Sequence, residues 1–186
     1  MTVHPTWPDH LLDLDEWSAL PEDPSRRIEL AEGVLFVAPR PIFRHQMLIM
    51  RLAGQLDVAA RGRWRVFPEV EVVVDAGPAP TVRVPDLVVA PPDLPDEASR
   101  CDARRLLAVL EVVSPGTRRL DRILKFHEYA DAGVPCYLLV EPGPPVTLTD
   151  FRLVGGTYVQ VAEHAGRAPL ELGATLDLDA LDHPAR

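Results

Sequence analysis

The chain has 186 residues, 47% of them hydrophobic and 25% charged, as expected of a globular protein large enough to bury a core. No run approaches the roughly 18 apolar residues of a membrane span, the first residues do not resemble a secretory signal, and two cysteines alone make neither a disulfide framework nor a zinc site. A cytoplasmic, reduced protein is therefore expected, and a net charge of −9 argues against tight non-specific binding to nucleic acid.

The N-terminal part of the chain predicts a helix, a hairpin and a second helix. An acidic stretch over 11–20 is typical of a short helix. The segment RIELAEGVLFVA predicts two strands around a turn at Glu32-Gly33. Between Phe43 and Ala60 apolar residues recur at helical spacing, which predicts an amphipathic helix.

The middle of the chain predicts three strands. The segments RWRVFPEVEVVVDAG, TVRVPDLVVA and RLLAVLEVV are each typical of one strand. A polar, proline-rich loop over 91–103 is expected between the second and the third.

The C-terminal part predicts a helix, a strand and a hairpin. The turn SPGT places Thr117 as the N-cap of a helix over 118–132. The segment PCYLLVEP predicts a fourth strand, and a hairpin follows it through Gly155-Gly156. Strand, helix and strand over 106–141 resemble a βαβ unit, so these two strands should be parallel. We expect an α/β fold, with one mixed sheet flanked by helices and antiparallel hairpins on its N-terminal and C-terminal sides.

The domain organisation expected from this order is simple. Since we find no linker, repeat or low-complexity tract, we expect a single domain over 1–186. Its core should run from about 26 to 163, preceded by the acidic helix over 11–20 and followed by a tail over 164–186.

Two carboxylates stand in apolar strands, where an unpaired charge is costly to bury. Side-chain alternation places Glu111 on one strand face with Val109 and Val113. Asp86 follows Pro85, which has no N–H for a sheet ladder and so marks an edge, a start or a bulge. Two such acids on adjacent strands need a shared proton or a cation between them, and Mg²⁺ suits carboxylate oxygens.

The lysine usage of the chain is unusual. Of 19 basic residues 18 are arginine, and Lys125 lies on the helix that follows Glu111. It shares a helix face with Arg118, Asp121, Glu128 and Ala132. The structural alternative is a solvent-facing stripe of ion pairs. Because the helix begins a short turn after the strand, Lys125 could instead reach back over the carboxylates, as a metal-dependent phosphodiester hydrolase would require.

With these residues assembled, the chain resembles the Uma-two family of putative restriction endonucleases, within the PD-(D/E)XK nuclease superfamily. The similarity runs from about 26 to 163 and is most specific in LEVVSPGTRRLDRILKFHEYADAGVPCYLLVEP. It implies a restriction-endonuclease-like core. It also implies that Asp86, Glu111 and the Val112 carbonyl hold the metal, Mg²⁺ or alternatively Mn²⁺, and that Glu29 completes the site.

One position departs from the superfamily pattern. The superfamily's lysine would stand two residues after Glu111, where this chain has Val113. We expect Lys125 to take its place, so that the predicted catalytic residues are Asp86, Glu111, Lys125 and Glu29.

The first functional hypothesis is an endonuclease that cuts phosphodiester bonds by metal-activated water, with DNA as the expected substrate. The alternative is a catalytically inactive binding or assembly module on a nuclease fold, which the negative charge and Val113 favour. Hydrolysis of another phosphorylated substrate also stays open, and a homodimer is expected only because nucleases that cut both strands often act as dimers. Neither Glu69 nor Glu71 is assigned a role, and His45 is expected at the surface.

Overall fold

The computed structural model describes residues 8–21, 26–39, 41–114, 116 and 120–182. Within them, the strands are β1 (Arg26–Ala31), β2 (Val34–Pro39), β3 (Arg65–Pro68), β4 (Glu71–Asp75), β5 (Thr81–Arg83), β6 (Leu87–Ala90), β7 (Arg100–Asp102), β8 (Ala108–Val112), β9 (Cys136–Glu141), β10 (Thr147–Val154), β11 (Thr157–Ala165), β12 (Arg167–Pro169) and β13 (Thr175–Asp177). The α-helices there are α1 (Leu14–Ser18), α2 (Phe43–Ala60), α3 (Lys125–Asp131) and α4 (Asp179–Asp182).

The strands form two larger sheets and a separate β12–β13 pair. The five-stranded sheet has the order β2-β1-β5-β4-β7, and the six-stranded sheet has the order β11-β10-β9-β8-β6-β3. Strands β8 and β9 are parallel as predicted, with Glu111 opposite Leu139. The predicted α/β class is confirmed, with mixed sheets, flanking helices and hairpins on the N-terminal and C-terminal sides.

The strands divide between two sheets where one mixed sheet was predicted. Each of two segments read as a single strand is broken into two, β3 with β4 and β5 with β6. Between β3 and β4, Glu69 has φ 49° directly after Pro68, which turns the chain out of the first strand. Between β5 and β6, Pro85 has no N–H for the ladder, and the chain crosses from one sheet to the other there.

Local signals fix the N-terminal elements well. A capping box between Asp13 and Glu16 begins α1, which is shorter than the predicted helix. The β1–β2 turn has φ 49° at Glu32 and 76° at Gly33, as a tight hairpin turn requires. Helix α2 has the bounds predicted from its apolar spacing.

The segment after β8 differs from a plain helix. Thr117 and Arg118 lie outside the described residues, so their predicted positions stay predictions. The chain then forms a wide π-helical turn over 120–124 and continues as α3, ending before Gly133 at φ 82°. The predicted loop over 91–103 contains the short strand β7 at its end.

The core lies on both faces of the six-stranded sheet. On one face α2 and the C-terminal segment pack, with Leu52 and Leu178 among the buried residues. On the other face α3 packs, with Tyr129 and Tyr137 fully buried, as predicted for both. Since Val109 belongs to this second cluster, the alternation of β8 turns Glu111 towards α3.

The residues beyond 163 pack against the first core face, so the predicted tail contributes to the core. Its buried members are Ala168, Leu170, Ala174, Leu176, Leu178 and Leu181. Among the helices that the structure describes, none has the length and apolar character to cross a bilayer.

Candidate active site

Four residues predicted from the sequence lie together in one buried cluster between the two sheets and α3. We call Glu29, Asp86, Glu111 and Lys125 the site cluster. Their exposed fractions are 2%, 1%, 2% and 2%. They come from β1, from the crossing between β5 and β6, from β8 and from the start of α3. The solvent-facing alternative for the Lys125 helix face is therefore wrong.

Lys125 is surrounded by carboxylates. Its Nζ lies 2.9 Å from Glu111 Oε1, 3.1 Å from Glu29 Oε1 and 3.8 Å from Asp121 Oδ1. Burial by itself lowers the pKa of this lysine, but the neighbouring carboxylates outweigh burial and raise the pKa above its ordinary value. Lys125 therefore stays protonated at neutral pH, which suits a fixed cation and not a general base.

Glu111 is the carboxyl group of the site whose surroundings most disfavour its ionised form. Its Oε1 accepts from Lys125 Nζ, and Tyr129 Oη lies 3.5 Å away. Burial raises the pKa of Glu111 to about 8, because the attraction of Lys125 is insufficient and the Asp86 and Asp121 carboxylates add repulsion. A divalent cation beside this carboxylate would stabilise its ionised form.

Asp86 is held by three donors from separate elements. Its Oδ2 accepts from the Val112 backbone N–H at 2.8 Å and lies 3.1 Å from His45 Nε2, and its Oδ1 accepts from Arg27 Nη2 at 2.9 Å. Burial opposes ionisation, but the hydrogen bond from His45 and the charge of Arg27 together lower the pKa of Asp86. Asp86 is therefore ionised at neutral pH.

His45 was predicted at the surface, and that prediction is wrong. The residue is 7% exposed and its Nε2 lies 2.8 Å from the Val112 carbonyl oxygen, besides its contact with Asp86. The signal was present in the sequence, since His45 shares the helix face of Leu48, Ile49 and Leu52, all buried. An interior face of α2 leaves a polar residue no route to solvent and so requires a buried partner.

Arg27 is the second contact that sequence reasoning missed. It stands two residues before Glu29 on β1 and therefore on the same strand face, a spacing that could have revealed it. Its side chain is 15% exposed and also lies 3.6 Å from Glu69 Oε1, whose side chain is 42% exposed. Arg27 and Glu69 therefore lie on the solvent-exposed side of the site. Glu71 instead accepts from Trp17 Nε1 at 3.2 Å.

A buried arginine fixes Glu29. Arg83, fully buried, donates from Nη1 to Glu29 Oε2 at 3.1 Å and binds Glu128 in bidentate fashion, at 2.7 and 2.6 Å. The Val84 backbone N–H donates to the other Glu29 oxygen at 3.1 Å. Bidentate pairing of this kind fixes both the charge and the orientation of the carboxylates.

Replacing Arg83 with methionine is expected to lower the free energy of unfolding by about 3–5 kcal/mol, because Glu29 and Glu128 lose a buried partner. Urea unfolding followed by circular dichroism measures the change. As a control, Arg104→Met removes an exposed arginine that pairs with Asp102 and should leave the stability almost unchanged. Equal effects of the two substitutions would contradict a structural role for Arg83.

The residues present fit a hard divalent cation in their chemistry. Asp86, Glu111 and the Val112 carbonyl supply oxygen donors, and a cation beside Glu111 would lower the pKa that burial and the neighbouring carboxylates raise. Within the described part of the chain, no three His, Cys, Asp or Glu side chains form a ready metal cluster. His45 and Arg27 now neutralise Asp86, and Lys125 holds Glu111, so a bound cation would compete with these contacts.

The fold of this chain is shared with a solved structure. A crystal structure described as a putative nuclease belonging to DUF820, from Anabaena variabilis ATCC 29413, matches with a TM-score of 0.68 over 91% of this chain and 97% of that chain. The two sequences are 17% identical, so this similarity establishes a shared fold. No curated protein sequence matches the chain.

The family follows from the sequence itself. The Uma2 family, described as "Putative restriction endonuclease", matches residues 13–181. The chain belongs to this family, which confirms the resemblance inferred from its motifs.

Proposed function

We propose that this protein is an endonuclease that hydrolyses phosphodiester bonds in DNA with a divalent cation, Mg²⁺ or Mn²⁺, at Asp86 and Glu111. The observation that carries the proposal is the contact of Lys125 with Glu111, one strand away from the Asp86 carboxylate. Acids from two adjacent strands and a lysine from the next helix supply the charges that metal-assisted phosphoryl chemistry needs. Membership in a family of putative restriction endonucleases supports the substrate class.

Each residue of the site has a distinct part in this proposal. Asp86, Glu111 and the Val112 carbonyl would hold the cation, which when bound activates a water molecule and neutralises phosphate charge. Lys125 remains protonated and offsets the carboxylate charge of Glu111 and Glu29, in place of the lysine that Val113 replaces. Arg27, at the solvent side of the site, is placed to attract the phosphate.

The alternative, an inactive binding or assembly module, is favoured by the closure of the site. The side chains of Lys125, Glu29 and Glu111 are only 2–3% exposed, so substrate atoms reach them only after displacement of neighbouring contacts. Such a module would bind partners without depending on Glu111, whereas the enzyme requires it.

Replacing Asp86 with asparagine is expected to reduce metal-dependent DNA cleavage at least about a hundredfold, because it removes a charged ligand of the cation. Cleavage of supercoiled and linear DNA, with Mg²⁺, with Mn²⁺ and with chelator, measures the loss. Asp150→Asn is the matched control, since Asp150 is equally buried and pairs with Arg152 at the same 2.9 Å but lies outside the site cluster.

The control variant should cleave like the wild type. Cleavage by the wild type that persists in chelator would contradict the proposal. Cleavage by Asp86→Asn at the wild-type rate would contradict it as well. Wild-type protein with no cleavage of DNA or RNA in either metal would favour the inactive module.

A further inference from the structure

The imidazole of His45 lies against two of the groups proposed to hold the cation. Its Nε2 is 2.8 Å from the Val112 carbonyl oxygen and 3.1 Å from Asp86 Oδ2. A carbonyl oxygen can only accept, so Nε2 carries a proton in this arrangement. The N–H thus supplies positive charge to both oxygens at once.

These distances are also those of neighbouring ligands around one metal ion. An octahedral cation with bonds of about 2.1 Å separates adjacent ligand atoms by about 3 Å. Transfer of the ring proton from Nε2 to Nδ1 would expose a nitrogen lone pair at Nε2 without moving the ring. Within the described part of the chain Nδ1 has no hydrogen-bond partner, so no donor there prevents Nδ1 from taking the proton.

The helix holds the ring in place. His45 lies in the first turn of α2, and the buried side chains of Leu48, Ile49 and Leu52 anchor the same face of that helix against the six-stranded sheet. A ligand on such a rigid element has a fixed direction and loses little freedom on binding a metal.

We propose that His45 is a nitrogen ligand of the cation and makes the site prefer Mn²⁺ over Mg²⁺. The inference rests on the proposed function, because it places the cation at Asp86. Imidazole is a better ligand for first-row transition ions than for Mg²⁺, which prefers oxygen donors. A site built only from Asp86, Glu111 and the Val112 carbonyl would lack this preference.

Pulsed electron paramagnetic resonance of Mn²⁺ bound to the full chain tests the inference without measuring activity. Wild-type protein should show coupling to one directly bound nitrogen. The His45→Gln variant should still bind Mn²⁺ but lose the coupling, and its preference for Mn²⁺ over Mg²⁺, measured by competition, should fall about tenfold or more. His127→Gln is the matched control, since His127 is an exposed histidine of α3, and should retain both.

The results separate this inference from the function on which it rests. Mn²⁺ that binds in an Asp86-dependent manner without nitrogen coupling overturns the role of His45 and leaves the proposed function standing. An unchanged metal preference in a folded His45→Gln variant overturns it as well. Wild-type protein that binds no Mn²⁺ overturns both.

Discussion

Replacing Lys125 with methionine is expected to lower the free energy of unfolding of the metal-free protein by about 3–5 kcal/mol near neutral pH and to abolish cleavage. The Nζ ammonium is the nearest cation to Glu111 and also contacts Glu29 and Asp121. Without it, these buried carboxylates must be protonated or exposed. Thermal unfolding should show a decrease in Tm of about 10 °C for a chain of this size.

A double substitution distinguishes electrostatics from simple loss of packing. Adding Glu111→Gln to Lys125→Met removes a buried carboxyl group that has lost its nearest cation, and should raise the stability by more than Glu111→Gln raises it in the wild type, while cleavage stays absent. An equal effect of Glu111→Gln on stability in the presence and in the absence of Lys125 would show that the two residues do not interact energetically. Lys125→Met protein with wild-type cleavage would remove Lys125 from the proposed chemistry.

Replacing Glu111 with glutamine is expected to make the metal-free protein more stable than the wild type at neutral pH, although the variant should be inactive. The pKa of Glu111 is raised from 4.5 to about 8 in the folded state, mainly by burial. Between these values the folded protein binds a proton that the unfolded chain has released. Wild-type stability therefore falls with rising pH by up to about 1.4 kcal/mol per pH unit, and Glu111→Gln lacks this contribution.

The difference between the two stabilities isolates this effect from the other titrating groups. Urea unfolding of wild type and Glu111→Gln at a series of pH values should give curves that converge below about pH 4.5 and separate up to about pH 8. Saturating Mn²⁺ should reverse the order, since it stabilises only the protein that binds it. A pH-independent difference would contradict the raised pKa of Glu111.

The parts of the fold that the sequence predicts well are those with strong local signals. The apolar spacing of α2 predicts both of its ends, and Glu32-Gly33 and Gly155-Gly156 predict two hairpins. Parallel pairing of β8 and β9 follows from the helix between them. In these segments local preference and tertiary packing agree.

The division into two sheets could not be predicted because it depends on contacts distant in sequence. The segment from Thr81 to Ala90 is rich in valine, as in one strand, and Pro85 alone does not show that the chain changes sheets there. A pairing pattern is a tertiary property, and strand preference does not encode it. The break between β3 and β4 at Glu69 could not be predicted either, since a positive φ is uncommon for a residue other than glycine.

The site was predicted in its acids and lysine but not in the groups that hold them. Glu111 and Asp86 were visible as charges in apolar strands, and Lys125 as the one lysine of the chain. Arg27 and His45 were missed although each shares a face with buried residues, because arginine is common in this sequence and a shared face does not name the partner. Their role follows only from the convergence of β1 and α2 on Asp86.

Calorimetric titration of Mn²⁺ into the metal-free protein tests most directly whether Asp86 and Glu111 hold a cation. Wild-type protein and Asp150→Asn should each bind one ion, and Asp86→Asn should bind it at least about tenfold more weakly or not at all. A wild-type protein that binds no Mn²⁺ or Mg²⁺, or an Asp86→Asn variant that binds with wild-type affinity, would contradict the metal site.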